Sequence, residues 1–160
     1  MADGPAHESE NERLNRELDQ LLQELRVAMP GVQVLFAFLL AVPFQQRFAA
    51  TTELQRDVYF GTLLMAALAS ALFIAPTAYH RITFRRHHKA RLIRLSSVFA
   101  IAGLGALALA MNGAILLITD VLFDGVAVVV ATAVSTVVFA GLWFVLGLAG
   151  RRALDPEPGA

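Results

Sequence analysis

The chain has 160 residues, of which 13 are basic and 13 acidic, and 57% are hydrophobic. This hydrophobic fraction exceeds the roughly 45–50% that is typical of soluble chains. The length allows one compact domain. The chain has no cysteine, which excludes disulfides, thiolate metal sites and cysteine nucleophiles.

Four long stretches contain no Asp, Glu, Lys or Arg: residues 31–44, 58–79, 95–119 and 125–150. A helix needs about 20 apolar residues to cross a bilayer, so the pattern predicts an all-α protein, a four-helix transmembrane bundle. Its spans are expected at about residues 27–44, 58–79, 95–119 and 125–150, within a transmembrane domain of residues 29–150. The first span is counted from Val27 because 14 residues alone are too short, and Pro30-Gly31 predicts a bend or break there.

The distribution of Lys and Arg predicts the orientation. Eleven of these residues lie in the amino-terminal segment, in the segment after the second span and in the carboxyl-terminal tail, whereas the other two loops hold only Arg47 and Arg56. By the positive-inside rule, both termini and the central loop lie in the cytoplasm. We therefore expect a multi-pass protein of the bacterial cytoplasmic (inner) membrane.

The amino-terminal segment precedes the first span. Residues 1–9 are expected to be disordered, as is the tail 151–160, and Ser9 with Glu12 forms a capping-box pattern. Residues 10–28 then have the spacing of a cytoplasmic amphipathic helix. Its apolar face either folds onto or continues the bundle, or it pairs with the same helix of another subunit. That face consists of Leu14, Leu18, Leu21, Leu22 and Leu25.

The loops carry further local signals. Phe44 and Phe48, spaced four residues apart, predict an interfacial anchor. Thr52 and Gln55 form a second capping-box pattern at the start of the second helix. The short connection 120–124 requires the third and fourth helices to be antiparallel neighbours.

Rows of small residues are expected at the helix contacts, because lipid offers no hydrophobic drive to helix association and close backbone approach replaces it. The predicted rows, spaced by four, are Ala67, Ala71 and Ala75 on the second helix; Ala102, Ala106, Ala110 and Ala114 on the third; and Ala127, Ala131 and Ser135 on the fourth.

Polar side chains inside the spans are costly, so each is a candidate for function. Gln33 and Asn112 are the two carboxamides; an interhelical hydrogen bond is one interpretation of each, and the lining of a permeation path is the other. The hydroxyls can bond to the carbonyl four residues earlier. They are Thr62, Ser70, Thr132, Ser135 and Thr136.

The segment 80–94 is basic and contains no acidic residue. Such a segment enforces topology and binds anionic lipid head groups. The head-group ligands predicted here are Arg81, Arg85, Arg86, Lys89, Arg91 and Arg94. Histidines at 80, 87 and 88 lie among these cations, and metal binding or pH sensing by them is a minor alternative.

The chain has no glycine-rich phosphate loop, metalloprotease helix motif or nucleophile elbow. We therefore expect no enzyme activity, no cofactor and no nucleic-acid partner. The expected partners are membrane lipids together with a second copy of the chain or another membrane protein.

Three runs carry a family resemblance: ELR at 24–26 followed by GVQVLFAFLL at 31–40 and PF at 43–44; QRDVY at 55–59; and APTAYHR at 75–81. The chain resembles a family of small, mostly actinobacterial, membrane proteins with a domain of unknown function. The resemblance covers roughly residues 10–150 and implies four spans without an established activity. Similar chains sometimes carry a sodium:proton antiporter name.

Two functions follow from these observations. The first is a structural, regulatory or accessory subunit that acts through its cytoplasmic helix and basic loop. The alternative is an oligomeric cation transporter or channel, for which Asp57 and Asp120 are the nearest carboxylates to the membrane. Proton-coupled exchange needs a titratable carboxylate at membrane depth, and none lies inside a predicted span, so the first function is favoured.

Overall fold

The computed structural model describes residues 10–83 and 89–145, apart from the side chains at 10–12, 14, 15, 17, 18, 80–83 and 89–93. The described residues form helices and no strand. Two short 3₁₀ turns, Val42–Phe44 and Gln46–Ala50, connect the first two helices, and a π-helical turn, Gly141–Val145, continues the last. The helices are α1 (Glu10–Ala41), α2 (Glu53–Thr83), α3 (Lys89–Leu122) and α4 (Val126–Ala140).

Four segments are long and apolar enough to cross a membrane: Asp19–Phe44, Glu53–Tyr79, Arg94–Leu122 and Val126–Val145. The all-helical class and the four helices of membrane-spanning length are thus confirmed. The predicted disordered ends, 1–9 and 151–160, lie outside the described residues.

Helix α1 is continuous through Pro30 and Gly31. The chain break considered at this position does not occur, and residues 10–28 continue the first span. At 32 residues, α1 is about 48 Å long, which exceeds the roughly 30 Å of hydrocarbon in a bilayer. Its amino-terminal part is therefore a direct extension of a segment that is by itself long enough to cross a bilayer.

One buried stripe follows α1 from the amphipathic part into the membrane. Leu25, Val32 and Leu39 are all nearly inaccessible and are spaced by seven residues. Half-buried Leu21 precedes Leu25 by four residues, so the stripe has the heptad spacing of helices that pack side by side. The carboxyl-terminal leucines of the predicted amphipathic face thus form part of the protein's own core.

The facing stripes of α2 and α3 alternate spacings of three and four residues. These two helices share the most extensive interface of the described chain. The stripes consist of Tyr59, Thr62, Ala66, Ala69, Phe73 and Pro76 on α2, and of Gly103, Ala106 and Ala110 on α3, with buried Ser96 seven residues before Gly103. Ala108 is also buried but lies on another face of α3.

The predicted row of small residues is wrong on α2. Ala71 is exposed, whereas Ala66 and Ala69 are fully buried. The reason is geometrical: a residue every four positions drifts around a helix of 3.6 residues per turn, while alternating steps of three and four stay on one face. On α3 the prediction holds at Ala106 and Ala110 but not at exposed Ala102.

Helices α1, α2 and α3 contact one another, whereas α4 packs extensively only on α3. Val128 is the buried hydrophobic residue of α4 among those described. The architecture is therefore a three-helix group with a fourth helix on one side. The turn into α4 uses Gly125, whose φ of +62° favours a residue without a Cβ, and α3 and α4 are adjacent, as the short connection predicts.

The end of the molecule at the α1–α2 loop, called here the loop end, is held by three local contacts. The capping box is confirmed, because the Thr52 amide donates to Gln55 Oε1 (3.0 Å) and the Gln55 amide donates to Thr52 Oγ1 (3.2 Å). Phe48 packs edge-to-face on Tyr59 with ring centres 5.1 Å apart. Phe44, by contrast, is 88% exposed, so the two phenylalanines have different surroundings.

Candidate functional site

Asn112 is the centre of a polar cluster between α3 and α4. Its Oδ1 accepts a hydrogen bond from the hydroxyl of Ser135 (2.5 Å), and its Nδ2 donates to the carbonyl of Ala108 (3.1 Å). The Thr136 hydroxyl lies 3.3 Å from the same Oδ1 but is closer to the Thr132 carbonyl, at 2.7 Å, and Ser135 Oγ also lies within bonding distance of that carbonyl. The carboxamide therefore links α4 to α3 and has its hydrogen-bonding capacity largely used within the protein.

Gln33 has different surroundings from Asn112. It is exposed on α1, about 12 Å along the helix from its end at Ala41. Within the described part of the chain it makes no hydrogen bond. It borders a small notch on the α1–α2 surface with Ser70 and Ile74, and the Ser70 hydroxyl is already bonded to the carbonyl of Ala66 (3.0 Å).

The remaining hydroxyls inside the spans mostly bond to their own helices. Thr62 and Thr136 donate to the carbonyls four residues earlier, as predicted. Ser135 departs from that prediction, because its backbone acceptor is the carbonyl three residues earlier. Thr132 is a second departure, since its buried Oγ1 has no partner among the described residues, as is also true of Ser96 Oγ.

The two candidate ion-path carboxylates lie at the loop end and not between the helices at depth. Asp57 is exposed in the first turns of α2, and Asp120 is exposed in the last turn of α3. Gln55 Nε2 donates a hydrogen bond to Asp120 Oδ2 at 2.7 Å, which ties α2 to α3 at this end. Sequence reasoning missed this role of Gln55, whose only local signal was its place in the capping box.

The predicted head-group ligands are mostly outside the described side chains. Helix α2 extends to Thr83 and α3 begins at Lys89, so the basic segment is helical at both of its ends. Of its cations only Arg94 has a described side chain, and that side chain is exposed. The structure thus leaves the lipid-contact prediction for Arg81, Arg85, Arg86, Lys89 and Arg91 as a prediction.

The predicted partner leucines fall into two groups. Leu25 is 5% exposed and packs in a core cluster with Val32 and Phe73, and Leu21 packs against that cluster. Leu22 is half-buried. The side chains of Leu14 and Leu18 lie outside the described residues, but their positions continue the same heptad stripe.

The chain therefore has the features of a multi-pass membrane protein whose described intramembrane polar groups serve mainly to connect helices. The chain belongs to a family described as a family of unknown function, DUF6328, whose pattern matches residues 7–147. No curated protein and no solved structure matches it.

Proposed function

We propose that the protein is a structural or accessory subunit of the bacterial cytoplasmic membrane that assembles with a second membrane-embedded helix. The observation that carries the proposal is the exposed Gln33 carboxamide near the middle of Asp19–Phe44, a segment of membrane-spanning length. The positive-inside distribution supports cytoplasmic termini and a cytoplasmic α2–α3 loop.

The energetics of Gln33 favour a partner helix. Its side chain has two donors and an acceptor, and an amide left without hydrogen bonds in an apolar medium costs several kcal/mol. Lipid chains have no group that can bond to it. Carboxamides drive association of membrane helices for this reason, typically by about 1 kcal/mol each.

The distribution of charge argues for assembly and against transport. Four stretches contain no Asp, Glu, Lys or Arg: residues 27–44, 58–79, 95–119 and 126–145. Asp57 and Asp120 are exposed at the loop end. A proton-coupled exchanger would need a carboxylate that both sides of the membrane reach in turn.

The cytoplasmic extension of α1 supplies a second docking surface for the same assembly. Its apolar stripe turns inward at Leu21 and Leu25, and its outward face is polar. The exposed described side chains on this face are Arg13, Arg16, Asp19, Gln20, Gln23, Glu24 and Arg26. Together with the basic segment 80–94 it offers charges of both signs to a cytoplasmic partner.

The membrane contact is tested by cross-linking in native membranes, for which the absence of cysteine is convenient. Ala37 is exposed one helical turn from Gln33, so Ala37→Cys keeps the carboxamide and is expected to give an oxidative cross-link to a second copy. A photoreactive residue at position 37 is expected to give a photo-cross-link if the partner is another membrane protein. Val34→Cys is the matched control, since Val34 is also exposed but points about 100° away from Gln33 around the helix. Position-37 variants that give no cross-link in either assay would refute the proposal.

The cytoplasmic contact is tested by truncation. Removing residues 1–18 retains Leu21 and Leu25 in the core, and we expect normal insertion with loss of a cytoplasmic partner. Removing residues 1–28 also deletes those core leucines, so it is the less specific variant. Unchanged migration of the 1–18 deletion on size-exclusion chromatography in mild detergent contradicts a docking role for this segment.

The transport alternative is tested in proteoliposomes loaded with a pH-sensitive dye. We expect no sodium-dependent proton flux. A flux that is lost in Asp57→Asn or Asp120→Asn would replace the accessory-subunit proposal with the transporter.

A further inference from the structure

An apolar crevice opens between α1 and α3 at the loop end. Helices α1 and α3 pack together in the core cluster that contains Val32 and Ala106. Nearer the loop the crevice separates these two helices. There α1 is held by α2, because the Tyr59 hydroxyl donates to the carbonyl of Leu39. The space has a volume of about 370 Å³, within the range of about 300–1,000 Å³ for ligand pockets. Its walls include Leu35, Phe38 and Val42 of α1 and Leu117, Ile118 and Val121 of α3.

A second depression adjoins this crevice at the loop end. The two spaces share Val42, Phe48, Thr51, Gln55 and Val121, and the residues that the depression adds include Arg47 and Asp120. Its volume is about 460 Å³. Gln55 fixes one oxygen of the Asp120 carboxylate, Oδ2, by a hydrogen bond of 2.7 Å, while Oδ1 has no bond to a described residue.

Arg47 and Asp120 thus place one positive and one negative charge around the same depression without an ion pair between these two described side chains. A cation and an anion that share a rim but do not pair are suited to a ligand that itself carries both charges. An apolar slot beneath such a rim is suited to a hydrocarbon chain.

We propose that this composite site binds one phospholipid with an ethanolamine head group in the leaflet at the loop end. An acyl chain fills the crevice, the phosphate pairs with Arg47, and the ammonium group donates to Asp120. Guanidinium groups pair well with phosphate, and a primary ammonium has three donors for a carboxylate. A choline head group has no such donors, and the neutral glycerol of phosphatidylglycerol has no positive charge to pair with Asp120.

The shape and lining of the crevice suit a lipid chain. The crevice extends from Ala114 to Leu122 along α3, which is about 12 Å at the helical rise. The exposed surface of its walls is apolar, and a flexible acyl chain needs no hydrogen bonds from them.

The proposal is tested by native mass spectrometry of the full-length protein in detergent, with phosphatidylethanolamine, phosphatidylglycerol and phosphatidylcholine of identical acyl chains added separately. We expect the ethanolamine lipid to bind about tenfold more tightly than either other lipid, the equivalent of one good charge-assisted contact. Asp120→Asn should remove the preference over choline, and Arg47→Gln should weaken binding of all three lipids. Arg56→Gln and Asp57→Asn are the matched controls, because both residues are exposed at the same end but do not line either space.

The crevice is tested separately by filling it. Ala114→Phe should reduce retention of the ethanolamine lipid about tenfold or more, whereas Ala102→Phe, at an exposed position of the same helix, should leave it unchanged. Circular dichroism of each variant checks that the helices persist. The proposal is overturned if the three lipids bind equally or if the anionic lipid binds best. It is also overturned if binding is unchanged in Arg47→Gln, Asp120→Asn and Ala114→Phe.

Discussion

The hydroxyl of Tyr59 replaces a backbone donor that Pro43 lacks, and this substitution of one bond for another can be measured. In a continuing α-helix the carbonyl of Leu39 would accept from the amide of residue 43, four positions later. Proline has no amide proton. The Tyr59 hydroxyl donates to that carbonyl instead, at 2.9 Å, in a buried position.

Replacing Tyr59 by Phe keeps the aromatic ring against Phe48 but leaves the Leu39 carbonyl without this donor. Tyr59 is 7% exposed, so water has little access to replace the bond. An unsatisfied buried acceptor costs about 1–3 kcal/mol, and side-chain hydrogen bonds within membranes have measured at most about 1.7 kcal/mol. We therefore expect Tyr59→Phe to lower the free energy of unfolding by about 1–2 kcal/mol.

The assay is unfolding in mixed micelles by titration with sodium dodecyl sulfate, followed by circular dichroism. Tyr79→Phe is the matched control, since Tyr79 is exposed and its hydroxyl makes no hydrogen bond with a described residue. Pro43→Ala restores the missing amide, so in the Tyr59→Phe background it should recover much of the lost stability. A Tyr59→Phe variant within about 0.3 kcal/mol of wild type, or a strictly additive double-mutant cycle, would refute the reasoning.

Two further predictions concern the helix contacts. A Cβ on Gly113 would collide with the side chain of Thr62, whose own Cβ would lie 3.1 Å away. Gly113→Ala should therefore destabilise the α2–α3 interface, lowering the free energy of unfolding by about 1–3 kcal/mol in the same assay. Gly61→Ala, where a Cβ meets nothing within 4 Å, should be neutral or slightly stabilising, and equal effects of the two changes would contradict the close approach. Asn112→Leu should lower the free energy of unfolding by about 1 kcal/mol, because it removes the hydrogen bond that joins α4 to α3. Combined with Ser135→Ala, the loss should be smaller than the sum of the two single losses. Full additivity would show that this hydrogen bond contributes nothing.

Local sequence patterns predicted the features that depend on near neighbours along the chain. The capping box at Thr52 and Gln55 is present because its two hydrogen bonds join residues three apart. The bonding of Thr62 to the carbonyl four residues earlier follows from the helix itself. Neither required knowledge of the rest of the fold.

Contacts between helices were harder to predict. The row of alanines spaced by four on α2 looked suited to packing, but the buried face contains Ala66 and Ala69 instead. Gln33 and Asn112 were equivalent in the sequence, and only the position of α4 gives Asn112 its partners while Gln33 stays exposed.

The sequence by itself determined that the chain consists of apolar helices of membrane-spanning length, because the absence of charge over about 20 residues is a property of each segment alone. Tertiary structure alone decided which faces are buried, why α4 stands apart from α1 and α2, and how Arg47 and Asp120 meet at one rim. The reason is that helices in a membrane are hydrophobic on every side. Their hydropathy therefore does not mark the packed face, which is selected by shape and by a few hydrogen bonds.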